Sequence, residues 1–314
     1  MKFIPSNAQA IGARSEQQDA FGFSDPADAA FVAHSGLLGV LADGMGGMAF
    51  GGLASQAAVS RFIEAYSAKS PDESISNALS RSLSEANDAV LGIAYGQGLL
   101  DQVGTTLVAA VVHDGCLEWI SAGDSRIYLV REGAAIQLTT DHVYGAQLDS
   151  LAARGQISQT EAMSDPQRGD LTSYLGKLCL KEVDRSPASL PLQPGDAIIV
   201  CSDGLYKVVT PDELADLVDA ARNGKAVISE LLLERALDQR RPNQDNITIL
   251  SITCCAEEDH SRLPYEKPRV RLLPVLALIL VALGLLVLAA FVWRHRAAGA
   301  GPAGPTTSIA LRLE

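Results

Sequence analysis

The sequence is short of the residues that build zinc centres, redox motifs and disulfide frameworks. Its five cysteines include no Cys-x-x-Cys pair and lie mostly inside apolar runs, so we expect reduced, buried thiols of the kind found in the cytosol. The five histidines are scattered and contain no His-x-x-His pair, which disfavours a zinc site. The first residues lack an apolar core of signal-peptide length, so no secretory signal is expected.

Positive charge is also scarce, and it is unevenly distributed. The 314 residues carry a formal net charge of −12, yet residues 262–314 hold seven of the 25 Lys and Arg and only two of the 37 Asp and Glu. The remaining 18 basic and 35 acidic residues give residues 1–261 a net charge of −17. Because so acidic a surface repels phosphate backbones, we do not expect nucleic acid as a partner.

Charged and polar side chains are absent altogether from residues 272–293. These 22 residues would form a helix of about 33 Å, which is enough to cross the hydrocarbon core of a bilayer. The sequence therefore predicts one C-terminal transmembrane helix at 272–293, with the lipid bilayer as a partner. A juxtamembrane linker at 256–271 would precede this helix, and a flexible Gly- and Pro-rich tail at 294–314 would follow it.

The residues before this linker, 1–255, have the pattern of one α+β domain. Helices are predicted over about 52–68 and again after Ser70, which is placed to cap a helix that has Pro71 at its first position. Beyond position 104 the period changes to that of strands, and Asp114-Gly115 is a hairpin signal. Consecutive hairpins indicate antiparallel sheets rather than an alternating parallel β-α-β fold.

Five aspartates stand where strands end or where the chain turns tightly. They are Asp43, which follows an apolar strand, Asp203, which follows a second one, Asp124, Asp245, and Asp19 on an early turn beside Arg14. Converging carboxylates repel one another unless cations neutralise them, and ligands that are all oxygen select hard ions such as Mg²⁺ or Mn²⁺. Two such ions can activate water for in-line attack at phosphorus, and a nearby arginine can clamp the phosphate oxygens.

Two other phosphatase chemistries can be tested against the sequence. Cys179 and Arg185 have the Cys-x5-Arg spacing of cysteine-based enzymes, but no glycine between them could curl backbone N–H groups around a phosphate. The alternation over 178–183 instead predicts a strand. Aspartyl-phosphate enzymes of the haloacid dehalogenase type need Asp-x-Asp, and the sequence contains none.

Seven short motifs follow one another between residues 8 and 254. They are Arg14…Gln18-Asp19, Asp43-Gly44-Met45-Gly46-Gly47, Gly104-Thr105-Thr106, Ala122-Gly123-Asp124-Ser125-Arg126, Thr139-Thr140-Asp141-His142, Ser202-Asp203-Gly204-Leu205 and Asp245-Asn246-Ile247-Thr248. The series resembles the PPM family of metal-dependent protein Ser/Thr phosphatases, the type 2C group, in its compact bacterial form. This resemblance implies that residues 1–255 are a catalytic domain. It also implies a four-layer α-β-β-α sandwich of two antiparallel sheets flanked by helices.

The resemblance further implies roles for the individual residues around two metal ions. Asp43 would bridge two Mn²⁺ or Mg²⁺ ions, and the Gly44 carbonyl oxygen would bind one of them. Asp203 and Asp245 would hold the other ion, and Asp19 would act through coordinated water.

Three further features follow from the same likeness. Asp124 would share a third, weaker ion with Asp203. Arg14 would clamp the phosphate. Residues 142–176 would form a flap beside the site.

The expected function is that of a membrane-anchored protein serine/threonine phosphatase. It would hydrolyse phosphoserine and phosphothreonine in proteins and oppose a Ser/Thr kinase. The alternative is a catalytically silent phosphatase-like module that binds phosphoproteins or regulates a membrane partner. Four basic residues shortly before the predicted span, against two just after it, favour an inner-membrane, single-pass protein whose catalytic domain is cytoplasmic.

Overall fold

Two antiparallel sheets lie at the centre of the fold. The structure, a computed structural model, describes residues 1–45, 50–224 and 226–256. In chain order its strands are β1 (Lys2–Ala10), β2 (Asp19–Phe23), β3 (Leu37–Asp43), β4 (Leu107–His113), β5 (Cys116–Ala122), β6 (Arg126–Arg131), β7 (Ala134–Gln137), β8 (Asp184–Arg185), β9 (Leu190–Pro191), β10 (Ala197–Cys201) and β11 (Ile247–Cys255). The first sheet has the order β1-β11-β10-β6-β7, and the second has the order β2-β3-β4-β5-β8, with β9 also pairing with β5.

Eight helices lie within the described residues. They are α1 (Ala29–Ser35), α2 (Gly51–Ser67), α3 (Ile75–Gln97), α4 (Tyr144–Ala153), α5 (Gln159–Ser164), α6 (Asp203–Tyr206), α7 (Pro211–Gly224) and α8 (Ile228–Asp238). Helices α2 and α3 pack on the second sheet, and helices α6, α7 and α8 pack on the first. The predicted antiparallel sandwich flanked by helices is therefore confirmed.

Side-chain alternation along β3 shows how the layers are held together. Leu38 and Val40 are buried against α2 and α3, whereas Leu37 and Leu41 are buried against the first sheet. Successive side chains of a strand point to opposite faces, so a strand that is apolar at every position can fill two layers of core at once. The continuous apolar run before Asp43 thus places that residue at the edge of a fully buried sheet.

The predicted start of the second long helix was wrong. Helix α3 begins at Ile75, and its N-cap is Ser74, whose hydroxyl accepts a hydrogen bond from the Asn77 N–H at 3.2 Å. Glu73, the residue before this N-cap, forms an ion pair with Arg81 at 2.8 Å. The Glu73 N–H donates to the Ser70 carbonyl at 3.1 Å, so Ser70 to Glu73 form a turn outside the helix.

The strand predicted over 178–183 was also wrong. These residues are irregular, and Leu178 is 76% exposed. Just before them Asn87 of α3 accepts hydrogen bonds from the N–H groups of Gly176 and Lys177 at 2.9 and 3.3 Å. The chain is thereby held against α3 and pairs with the edge of β5 only later, at β8.

Within the described ranges, no helix is long and apolar enough to cross a membrane. The predicted transmembrane helix at 272–293 and the tail at 294–314 lie outside the described residues, as does the linker 256–271 apart from its first residue. Residues 46–49 of the glycine-rich turn also lie outside them. These parts of the sequence interpretation stay predictions.

Candidate active site

The ends of both sheets deliver the predicted aspartates to one place. Asp19 begins β2 and lies directly opposite Asp43, the last residue of β3. Asp203 follows β10 at the start of α6, and Asp245 lies two residues before β11. Asp124 stands in the turn between β5 and β6. A cavity of about 480 Å³ is lined by Asp43, Asp124, Asp203 and Asp245, so the structure brings these four predicted residues together.

Burial and mutual repulsion both raise the pKa values of carboxyl groups in this cluster. Burial, followed by the charges of Asp19, Asp203, Asp124 and Asp245, raises the pKa of Asp43 well above its ordinary value. Burial also raises the pKa of Asp19 to about 6, although hydrogen bonds to that carboxylate oppose the change. Carboxylates held together in this way favour the binding of a cation, because a cation relieves both the burial cost and the repulsion.

Hydrogen bonds fix Asp19 while leaving part of the cluster available to a ligand. Its Oδ2 accepts hydrogen bonds from the hydroxyls of Ser202 and Thr248 at 2.8 and 2.7 Å. Its Oδ1 and the Oδ1 of Asp203 are buried, and neither has a hydrogen-bond partner among the described residues. Buried oxygens without partners are costly unless an ion or water satisfies them. The donors present, carboxylates and the Gly44 carbonyl, fit hard ions such as Mn²⁺ and Mg²⁺.

Basic side chains already contact two of the carboxylates. The Arg14 guanidinium donates to Asp245 Oδ2 at 2.6 Å, and half of the arginine side chain is exposed. The Lys207 ammonium pairs with Asp203 Oδ2. Burial opposes the charge on Lys207, but Asp203, Asp124 and Asp43 together raise its pKa. As the side chains lie, no three Asp, Glu, His or Cys residues in the described part of the chain form a closed metal-ligand group.

Asp124 belongs to a separate hydrogen-bonded group. Its Oδ2 accepts a hydrogen bond from the Tyr206 hydroxyl at 2.9 Å. The Arg126 guanidinium stacks over the Tyr206 ring at 3.6 Å and also pairs with Asp141 at 2.6 Å. Arg126, held by Asp141, thus fixes the tyrosine that holds Asp124.

The threonine and asparagine motifs hold the backbone of the site. The Asp43 N–H donates to Thr106 Oγ1 at 3.0 Å, and the Thr105 hydroxyl donates to the Asp43 carbonyl at 2.8 Å. Asn246 accepts from the Gln18 N–H at 2.8 Å and so ties the Asp245 segment to the Asp19 turn. Neutral side chains thus fix the backbone on which the clustered aspartates stand, in addition to the pairing of the strands.

Tyr206 and Lys207 were not predicted as site residues. Lys207 lies four positions after Asp203, a spacing that places two side chains on one face of a helix, so the sequence did contain a signal for this contact. Tyr206 left no comparable signal, because its contact with Asp124 joins two parts of the chain that are 82 positions apart.

The predicted flap lies beside the site. Asp170, Leu171 and Tyr174 line the acidic cavity, and the same three residues line an adjoining cavity of about 700 Å³. Helices α4 and α5 lie within the flap. A phosphorylated residue that enters the acidic cavity would therefore contact the flap.

Comparison with known proteins agrees with this arrangement. The protein phosphatase 2C family profile matches residues 8–239. A serine/threonine phosphatase stp from Listeria welshimeri is 32% identical over 216 residues, which are 68% of this chain and 82% of that protein.

Solved structures of serine/threonine phosphatases have the same fold as this chain. The Mycobacterium tuberculosis serine/threonine phosphatase PstP/Ppp is 26% identical, with a TM-score of 0.63 over 81% of this chain and 99% of that one. A PstP catalytic domain in complex with two manganese ions has the same fold at 23% identity, with a TM-score of 0.60 over 81% of this chain and 99% of that one. The chain belongs to the protein phosphatase 2C family of serine/threonine protein phosphatases.

Proposed function

We propose that this chain hydrolyses phosphoserine and phosphothreonine in proteins with the help of two Mn²⁺ or Mg²⁺ ions, and that it opposes a Ser/Thr kinase. The observation that supports this proposal best is the convergence of Asp43, Asp203 and Asp245 in one cavity, with Asp19 opposite Asp43 in the adjoining strand. Family membership supplies the reaction class, and the PstP domain that binds two manganese ions supports the choice of metal.

In this mechanism the aspartates and the Gly44 carbonyl would bind the ions, and Arg14 would bind the phosphate. Asp43, Asp203, Asp245 and the Gly44 carbonyl would hold the ions, and Asp19 would act through a water molecule. Bound Mn²⁺ or Mg²⁺ would supply positive charge at the phosphate and lower the pKa of water. The half-exposed Arg14 lies at the cavity wall, where its guanidinium can bind two phosphate oxygens.

Metal dependence tests the proposed function directly. We expect the purified full-length chain to release phosphate from phosphoserine and phosphothreonine peptides only when Mn²⁺ or Mg²⁺ is present, and EDTA should stop the reaction. Full activity after EDTA treatment would contradict the two-ion mechanism. Tight binding of the phosphopeptide without turnover, in the presence of either ion, would instead indicate the silent phosphatase-like module.

Replacing Arg14 by alanine should separate phosphate binding from metal binding. We expect kcat/KM to fall by the equivalent of about 2–4 kcal/mol, the scale for one lost electrostatic donor in an active site. The Mn²⁺ concentration that gives half-maximal activity should hardly change. Steady-state kinetics across an Mn²⁺ titration measures both quantities, and the exposed Arg241→Ala is a matched control that should resemble the unmodified chain. A variant that lost metal affinity and kept its phosphate affinity would contradict the role of Arg14 as the phosphate clamp.

We also propose that residues 272–293 anchor the phosphatase in the inner membrane with the catalytic domain in the cytoplasm. The support is the apolar run itself and the four basic residues before it, against two just after it. The substrates would then be phosphoproteins on the cytoplasmic side of the membrane.

Reporter fusions test this topology. Alkaline phosphatase joined after Glu314 should be active, and green fluorescent protein at the same place should stay dark. Green fluorescent protein joined before Met1 serves as the control and should fluoresce. Fluorescence from both positions would show that the tail does not cross the membrane.

A further inference from the structure

One carboxylate of the flap stands where the acidic cavity meets its neighbour. Asp170, Leu171 and Tyr174 line both the acidic cavity and the adjoining cavity of about 700 Å³, called the flap cavity below. Asp170 is the one charged residue of these three. A polypeptide that placed a phosphorylated residue in the acidic cavity and continued into the flap cavity would therefore pass this carboxylate.

The other charged side chains of the flap cavity come in pairs of opposite sign. The Lys177 ammonium pairs with Asp101 at 2.7 Å and lies 4.6 Å from the centroid of the Tyr174 ring. Lys181 and Glu182 are neighbours in the chain and carry opposite charges. The charge that remains in this cavity is that of Asp170.

Asp170 itself has no cation beside it in the described part of the chain. Its Oδ2 accepts a long hydrogen bond from the neutral Gln167 amide at 3.4 Å, and the residue is exposed. In the acidic cavity, by contrast, Arg14 pairs with Asp245 and Lys207 pairs with Asp203. The carboxylate of Asp170 is therefore open to a cation that arrives with the substrate.

The backbone holds Asp170 at a fixed place although its side chain is exposed. The Asp170 N–H donates to the Gln167 carbonyl at 2.8 Å, and its own carbonyl accepts from the Tyr144 N–H at 2.8 Å. The next residue, Leu171, forms a β-bridge with Val143. Binding a cation would therefore require only the Asp170 side chain to become ordered.

We propose that Asp170 is a specificity residue that binds a Lys or Arg side chain of the substrate, close in sequence to the phosphorylated residue. The inference rests on the proposed phosphatase function and names a substrate class for it: phosphoproteins with a basic residue beside the phosphorylation site. An extended peptide advances about 3.3 Å per residue, so we place the basic residue within about three positions of the phosphoresidue. Its apolar stem would lie along the half-buried Leu171 while its charge reaches Asp170.

Matched phosphopeptides test this assignment. A phosphothreonine peptide carries Arg, Ala or Glu in turn at each of the three positions on either side of the phosphoresidue, and the full-length chain is assayed with Mn²⁺. At one or more positions, kcat/KM should be about fivefold higher for Arg than for Ala, the upper scale of one partly exposed ion pair. Glu at the same position should lower kcat/KM below the value for Ala.

Variants of Asp170 assign the preference to this carboxylate. Asp170→Asn should bring the Arg and Ala peptides to equal kcat/KM, Asp170→Lys should reverse the order of the Arg and Glu peptides, and Asp170→Glu should keep the original order. Turnover of p-nitrophenyl phosphate, which has no flanking residues, should keep its kcat in all three variants. That small substrate shows that the fold and the reaction are intact.

A charge-matched control separates Asp170 from the acidity of the whole domain. Residues 1–261 carry a net charge of −17, which attracts basic peptides at long range. Asp216→Asn and Asp216→Lys, at an exposed position of α7, change the net charge by the same amounts and should leave the peptide preference unchanged. Assays at about 0.15 M salt limit long-range attraction to about 8 Å.

The remaining outcomes separate this inference from the function beneath it. Equal kcat/KM for Arg and Glu peptides at every position would overturn the inference and leave the phosphatase proposal intact. A basic preference that persisted in Asp170→Asn would do the same, and so would a higher Mn²⁺ requirement in that variant, which would make Asp170 a metal ligand. No turnover of any phosphopeptide by the unmodified chain would overturn both.

Discussion

Replacing Asp43 by asparagine should lower kcat toward phosphopeptides by at least about 1,000-fold, the scale expected when a ligand of the water-activating ions is lost. Asparagine has the same shape, but it lacks the charge that would hold two ions at once. The backbone at this position is fixed by Thr105 and Thr106, so the strand end should not move. The loss should therefore come from chemistry rather than from a misplaced strand.

Stability measurements distinguish these two causes. Burial, and then the charges of Asp19, Asp203, Asp124 and Asp245, raise the pKa of Asp43. Removing this carboxyl relieves repulsion, so the EDTA-treated variant should unfold at the same temperature as the unmodified chain or at a higher one. Asp88→Asn, on the exposed face of α3, is the control and should change neither kcat nor the unfolding temperature. An Asp43→Asn chain that keeps its kcat would remove this residue from the metal site.

The positions of the site aspartates could be predicted because each follows a local signal. Asp43 and Asp203 follow apolar runs, and the structure places Asp43 at the end of β3 and Asp203 two residues after β10, at the start of α6. A strand buried on both faces leaves a continuous apolar run in the sequence, and the first polar residue after it marks the edge of the sheet. Apolar runs of this kind predict the structure well, because the core needs a buried strand at that place.

Contacts between distant parts of the chain could not be predicted in the same way. Strand β1 runs from Lys2 to Ala10 and includes Pro5, a residue type that is rare inside strands. It exists because it pairs along its whole length with β11, whose residues are far away in the sequence. Tyr206 on Asp124 is a second case, since no local pattern links a tyrosine to a carboxylate in another hairpin. In both cases tertiary pairing decided the structure.

Replacing Gly204 by alanine should be among the most damaging small changes in the site. Gly204 is the second residue of α6, and an added Cβ would lie 2.9 Å from the Asn246 carbonyl carbon and closer still to its oxygen. Side-chain carbons do not approach a backbone so closely, so α6 and the segment before β11 would have to separate. The Gln244 side chain, which donates to the Gly204 carbonyl at 2.9 Å, would lose its partner as the two segments moved apart.

The two segments that separate carry Asp203 and Asp245, so stability and function should fail together. We expect Gly204→Ala to lower the free energy of unfolding by about 3 kcal/mol, the upper range for forcing an extra carbon into a packed site. Displacing two carboxylates by about 1 Å should also lower kcat about 100-fold. Urea unfolding monitored by circular dichroism, and kinetics at saturating Mn²⁺, measure the two effects.

Gly96→Ala is the matched control for this substitution. Gly96 lies in helix α3, where an added Cβ would meet no atom within 4 Å. Alanine should therefore raise the free energy of unfolding there by about 0.5–1 kcal/mol, since it restricts the unfolded chain and suits a helix better than glycine. If Gly204→Ala unfolded at the same urea concentration as Gly96→Ala, the close packing of α6 on the Asp245 segment would not be what holds the metal ligands together.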